Sequence, residues 1–263
     1  MCLTLQFVVF LLTWSRIANV AFSFYVENPV DFDEAHWAGK TCAYELKPSD
    51  ELRLKWRDFQ LENGNNVTKC YVKCSLHYTG MYNSNTKTIN TTAIKEQFVG
   101  LGYPIPKGLE TLKVSTDGSC SDIYDKTIAL ITRNKKDFRR VFWSIESDVK
   151  EWYQKMGNKI KPFGMKPSQY CKEKFTSNRC KRLDCMYRYY RLIDRAHKTI
   201  TDRNMDPYEI DQDKLRDCQM EADQKAGCMV SRVLKKCMEA EDKATWSKLI
   251  DFLDNVSAKY EYD

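Results

Sequence analysis

The sequence predicts an all-α protein built as two disulfide-bridged helical domains in tandem, and three observations predict it. Apolar residues recur at i, i+3, i+4 and i+7 along most of the chain, the period of a helix with one buried face. No long alternating stretch marks a strand. Ten of the eleven cysteines fall into two clusters: Cys42, Cys70, Cys74 and Cys120, then Cys171, Cys180, Cys185, Cys218, Cys228 and Cys237. Between the clusters, the stretch 157–167 holds two glycines, two prolines and three lysines, the composition of an exposed boundary.

The first element is a leader. An apolar run up to Trp14 is too short for a comfortable membrane span, and the small residues Ala18, Ala21 and Ser23 follow it. We expect a signal peptide over 1–23, one domain over 24–160 and a second over 161–263. Removing the leader removes Cys2 and leaves an even cysteine count. In a leader-bearing chain that count reads as a disulfide framework in an oxidising, extracellular setting. No later run reaches the ~18 apolar residues of a membrane helix, so no membrane association is expected.

The helices follow in order. Pro48-Ser49-Asp50-Glu51 is a helix start, with acidic residues in its first turn and Leu52, Trp56 and Phe59 on one face. Cys70, Cys74, His77, Tyr78 and Met81 share the next face. Cys70 and Cys74 sit at i and i+4, so their sulfurs leave the same side of one helix and each must tie it to a different neighbour. Ile94 and Phe98 mark a short helix stopped by Gly100 and Gly102, and Pro104 with Pro106 makes a connection. Phe138, Val141, Phe142, Ile145, Val149, Trp152 and Tyr153 predict one helix of about four turns, ending near Gly157. In the second domain, Leu183, Met186, Tyr187, Tyr190 and Ile193 form one face. Val230, Val233, Leu234, Cys237 and Met238 form another, and Trp246, Leu249, Ile250, Leu253 and Val256 the last.

The net charge is +6, and the leader carries one charged residue, Arg16. Acidic residues are interspersed with the lysines and arginines, and no basic stripe stands out, so nucleic-acid binding is not expected. Anionic ligands or surfaces suit this balance better. The three histidines, His36, His77 and His197, form no close pair suited to zinc, and HExxH, GxSxG and GxGxxG are absent. The expectation is a binding protein, not an enzyme, with no metal and no cofactor. No long unclaimed apolar face is visible, so a monomer is expected.

Cys228 and Cys237 are separated by eight residues, and Cys70 and Cys74 by three. With these spacings the chain resembles the insect odorant-binding proteins, small six-helix modules with a paired-cysteine helix and a later Cys-x8-Cys. The second half keeps all six cysteine positions, but with four residues between Cys180 and Cys185 where the family usually has three. The first half has four cysteines. Two such modules in one leader-bearing chain resemble the long-form D7 salivary proteins of blood-feeding flies, and the sand fly members most. The resemblance implies the bridges Cys42–Cys74, Cys70–Cys120, Cys171–Cys185, Cys180–Cys228 and Cys218–Cys237.

It also implies a secreted salivary scavenger of host eicosanoids, cysteinyl leukotrienes and a thromboxane-type prostanoid, held by the first module. Such a ligand needs an apolar tunnel with cations or free N–H groups at one end. Trp37, Trp56, Phe59, Tyr71, Tyr78, Tyr82, Phe98 and Phe142 are candidates for the tunnel, and each is equally an ordinary helix-core residue. Lys159, Lys161, Phe163 and Gly164 are candidates for a carboxylate site on the connecting loop, the alternative being a solvated basic linker. The family's second module implies an amine site. Here Glu239, Glu241, Asp242 and Trp246, with Tyr187, Tyr189 and Tyr190, offer parts of one, but Thr245 stands where a second carboxylate is expected. An amine scavenger or a surface-binding coagulation inhibitor are the competing readings.

Overall fold

The computed structural model describes residues 32–260, apart from positions 63, 144, 145 and 202. The expected signal peptide lies outside the described residues. The fold is helical, with one two-stranded antiparallel hairpin, β1 (Tyr82–Asn83) paired with β2 (Thr88–Ile89).

The first half opens with α1 (Phe32–Leu46) and α2 (Asp50–Arg57). Ser49 caps α2 by accepting the Leu52 N–H, and Trp56, buried on its inner face, donates to Thr68 Oγ1 at 3.0 Å. Helix α3 (Asn66–Tyr78) carries Cys70 and Cys74. Cys74 bridges to Cys42 on α1, and Cys70 bridges to Cys120 at the start of α5 (Cys120–Arg133), so the two sulfurs do serve different neighbours. Helix α4 (Thr91–Gly100) lies between them in sequence.

The expected four-turn helix after Phe138 is broken. It runs as α6 (Lys135–Phe138), a π-helical turn over Arg139–Trp143, and α7 (Glu146–Met156). The reason is packing. Val141, Phe142 and Trp143 are consecutive and all buried, which a regular α-helix with one inward stripe cannot arrange. The wider i→i+5 turn brings all three inward. Ile145, the next residue of the expected stripe, lies outside the described residues.

The second half comprises α8 (Pro167–Lys174), α9 (Arg179–Tyr189), α10 (Gln212–Asp223) and α11 (Met229–Val256). Cys171–Cys185 joins α8 to α9, Cys180–Cys228 joins α9 to the start of α11, and Cys218–Cys237 joins α10 to α11. These five bridges coincide with the pairs implied by the resemblance. Helix α11 is interrupted at Asp242, whose backbone is non-helical (φ −154°, ψ 89°) and whose carboxylate accepts the Thr245 N–H at 3.0 Å. The two apolar faces read in the sequence lie on either side of that break.

Each half has its own apolar core. The first gathers Trp56, Phe59, Leu76, Ile94, Phe98, Phe138 and Phe142 around α3, and the second gathers Tyr187, Leu215, Leu234, Trp246 and Leu253. One residue crosses over. Tyr260, just past α11, is buried in the first core and not the second.

A candidate binding cavity at the junction of the two halves

A cavity of about 480 Å³ opens where the halves meet. The first half contributes Trp37 on α1, Tyr78 at the end of α3, and Trp152, Tyr153 and Met156 on α7. The π-turn sets the register of α7 and so decides which side of that helix faces the cavity. Trp37 and Tyr78 are ring neighbours at 5.0 Å, and Trp152 stands edge-on to Tyr153 at 5.1 Å. The second half contributes Tyr170, Lys174, Arg188, Tyr189, Arg191 and Arg195 together with the apolar Phe175, Ile193 and Ile200, and Lys159 and Ile160 join from the connection. The cavity therefore combines aromatic side chains with cations, and the acids Asp33, Glu34 and Asp194 also line it.

The floor is a polar cluster. Asp33 accepts hydrogen bonds from the hydroxyls of Tyr153 and Tyr260 (2.7 Å to Tyr260) and from Arg191 Nη2 at 2.9 Å. Arg191 also donates to Glu34 at 3.1 Å, and its guanidinium lies 5.6 Å from the Trp37 ring. Arg191 has a left-handed backbone (φ 55°) just past Tyr190, the residue that caps α9. That conformation is usually left to glycine and costs a larger residue roughly 1–2 kcal/mol. Its two buried carboxylate partners offset that cost. Burial, aggravated by the Asp33 charge, pushes the Tyr153 hydroxyl far above its ordinary range, so it stays a donor.

Beside the cavity, Tyr78 links the halves. Its hydroxyl donates to Glu45 at 2.9 Å and accepts the Asn204 N–H at 3.2 Å. The second Glu45 oxygen is buried without a hydrogen-bond partner. Burial pushes the Glu45 carboxyl up to about 7, against the opposing pull of Arg203 and the Tyr78 bond.

The structure divides the candidate ligand residues. Trp37, Tyr78 and Lys159 line the cavity. Trp56 and Tyr71 stack at 4.0 Å inside the first core, where Tyr71 accepts from Trp143 Nε1 and Phe59 meets the Trp143 edge. Phe98 and Phe142 pack with Phe138, and Tyr82 is buried in the same core. Lys161 is fully buried behind the cavity wall, its ammonium 5.7 Å and 5.8 Å from the Tyr153 and Tyr189 rings. It donates to the carbonyls of Ala258 (3.2 Å) and Pro162 (3.4 Å), and burial lowers its pKa to about 8. Phe163 packs edge-on to Tyr153 at 5.2 Å. The Gly164 N–H, expected to be free, donates to Ala258 O at 3.0 Å. The connection is thus hydrogen-bonded to the end of α11 and is not a solvated linker.

The parts of the amine site do not assemble. Trp246 donates to the Tyr187 hydroxyl at 3.2 Å, Tyr190 donates to Asp254 at 2.8 Å, and all three rings are buried core. Glu239 pairs with Lys235, Glu241 pairs with Lys214 at 3.4 Å, and Asp242 holds the break in α11. Tyr189 faces the junction cavity instead. Asp33, Glu34, Trp152, Tyr153, Arg188 and Arg191 were not among the candidate ligand residues. Trp152 and Tyr153 were read only as part of a helix's apolar stripe, and the others show no more than acids in a first helical turn and a Tyr-Arg-rich helix end; none of these patterns names a cavity.

A family model for the PBP/GOBP family matches residues 29–111. A long-form D7 salivary protein of Phlebotomus duboscqi is 33% identical over 95% of this chain and 97% of its own length. A D7 protein structure from the same species superposes with a TM-score of 0.78 at 33% identity, covering 88% of this chain and 98% of that one. The fold is also shared with an AeD7–leukotriene E4 complex (TM-score 0.70, 16% identity, covering 90% and 93%) and with an AnSt D7 protein in complex with U46619 (0.67, 19%, covering 88% and 89%). With a relative one-third identical along nearly its whole length, the chain belongs to the long-form D7 salivary proteins.

Proposed function

We propose that this protein is a secreted salivary scavenger of host eicosanoids, holding one lipid mediator per molecule in the junction cavity. The observation that carries the reading is that aromatic side chains, Trp37, Tyr78 and Trp152, and the cations Lys159, Lys174 and Arg188 line one cavity. A volume of about 480 Å³ is within the range of pockets for small amphipathic ligands. The acyl chain lies along the aromatic wall and the carboxylate meets the cations. The two ligand-bearing relatives, one with leukotriene E4 and one with U46619, support the chemical class. The first half, taken as 24–160, supplies Trp37, Tyr78, Trp152 and Lys159, and the second, 161–263, supplies Lys174 and Arg188. By sequestering such mediators the protein lowers platelet aggregation, vasoconstriction and inflammation without catalysing a reaction, and it acts as a monomer.

The magnitudes suffice. Burying ten to fifteen methylene-type carbons yields on the order of 8–12 kcal/mol. Association and ligand ordering cost several kcal/mol, and each charge-assisted hydrogen bond returns about 1.5–3 kcal/mol. The net lies near nanomolar, which a stoichiometric scavenger needs.

The test is calorimetric titration of the oxidised, leader-free protein with leukotriene E4, U46619, serotonin and ADP. The ADP arm is included because a Culex quinquefasciatus relative of this fold is solved with that ligand. One-to-one lipid binding that Trp37→Ala weakens at least about tenfold supports the reading. Lipid binding that Trp37→Ala leaves intact would move the site into the first core. Serotonin or ADP binding without lipid binding would replace the eicosanoid reading.

A further inference from the structure

The charge of this protein is unevenly placed. Residues 159–198 contain twelve lysines and arginines against three acids, a net +9, whereas the whole chain carries +6. Everything else is therefore slightly acidic. This corrects the sequence reading that no basic stripe stands out: the chain-wide average hides it.

The stretch folds into α8, α9 and their flanks, and eight of its twelve cations are exposed. Lys166, Lys172, Lys174, Arg179 and Lys181 are exposed and Arg182 is half-buried. Among the described residues, none of the six makes a carboxylate ion pair; the ion pairs of this stretch belong to Arg188, Arg191, Arg195 and His197. The three acids do little to neutralise the face. Asp184 is buried and taken by His197, Ser231 and Arg188. Asp194 is half-buried and accepts the Lys198 N–H at 2.7 Å. Glu173 alone is exposed.

The array is also held rigidly. Cys171–Cys185 fastens α8 to α9. Arg182 donates to the carbonyls of Phe175 (3.2 Å) and Thr176 (2.7 Å), fixing the turn between the two helices. A fixed array of unneutralised cations fits a partner with closely repeated anionic groups, because little side-chain and loop order has to be created on contact.

We propose that the α8–α9 face docks a sulfated polysaccharide of the kind that coats cells and extracellular matrix. Among the described residues, the large exposed apolar side chains are Leu54, Val99, Ile105, Val114, Met220 and Met229, and none falls within 159–198. A surface that inserts into lipid uses such residues, so the face matches a polysaccharide better than a membrane. Docking would keep the protein in the tissue where it is deposited. The inference does not depend on which ligand fills the cavity.

The experiment uses the oxidised, leader-free protein on immobilised heparin and heparan sulfate over a salt series, with phosphatidylserine–phosphatidylcholine vesicles as a parallel arm. The test variant combines Lys172→Gln, Arg179→Glu and Lys181→Glu, exposed positions that do not line the cavity. Glutamate suits the first turn of α9, so folding is preserved. The control combines Lys95→Gln, Lys107→Glu and Lys113→Glu, exposed positions in the first half with the same change in charge. We expect the wild type to stay bound beyond about 0.15 M salt, the test variant to bind at least about tenfold more weakly, and the control to stay within about twofold. Elution of the wild type below that salt overturns the proposal. Equal loss in both variants reduces it to net charge and overturns it too. Vesicle binding without heparan sulfate binding assigns the face to membranes instead.

Discussion

At Glu45 burial works against ionisation, and the pH dependence follows from its sign. Its folded pKa, about 7, lies above the ordinary 4.5. The folded state therefore binds more protons than the unfolded state between those values, and stability falls as pH rises from about 4.5 to 7. The loss is on the order of 3 kcal/mol. Glu45→Gln should flatten that limb in urea melts between pH 4.5 and 7.5 and leave the variant more stable at neutral pH. Lys161 has the opposite trend, since its lowered pKa, about 8, makes stability rise between about 8 and 10.5. Lys161→Met should stabilise the protein by about 1–3 kcal/mol at pH 7, and the gain should vanish by pH 10.5. A neutral-pH loss of stability in either variant would show that the charge is worth more than its burial costs. Neither environment was legible in the sequence. Lys161 sits among lysines on a Pro/Gly-rich stretch, and its burial depends on the end of α11, 97 residues later.

At the scale of elements, periodicity located most helices because one buried face per helix is what most of them have. It failed where a segment must bury more than one face. The π-turn at Arg139–Trp143 is such a place, since three neighbouring side chains reach the core there. Deleting Arg140 would rotate α7 by about 100° relative to α6, withdrawing Tyr153 from Asp33. We expect that deletion to lose both cooperative unfolding and ligand binding, while Arg140→Ala, which gives up only a partly exposed ion pair with Asp148, costs about 0.5 kcal/mol or less. Circular dichroism with denaturant melts separates the two. The cavity was the least legible feature. Trp37, Tyr78 and Lys159 were among its candidates, but a wall shared by α1, α7 and α9 has no local signature.

The whole molecule is two cores joined by polar bonds, by Tyr260, and by Tyr44 of α1, whose ring packs on Tyr208 (5.9 Å) and Phe252 (5.5 Å) of the second half. Tyr260 is fully buried in the first core and bonds to Asp33, which also receives Arg191 from the second half. Tyr260→Ala should therefore cost about 3–5 kcal/mol and uncouple the halves. Calorimetry should show one transition in the wild type and two in the variant, the earlier one belonging to the first half. A single transition at the wild-type temperature would mean that the ring is not the fastener.

Tyr260 also bears on how the protein is made. A ribosome delivers Asp33 early and Tyr260 227 residues later. Once Cys120 has been made, the first half has all four of its cysteines and still an open seat in its core. Its bridges then form around an interior still missing a side chain, and a nascent chain stalled before Tyr260 exposes a patch on the first half that the finished molecule hides.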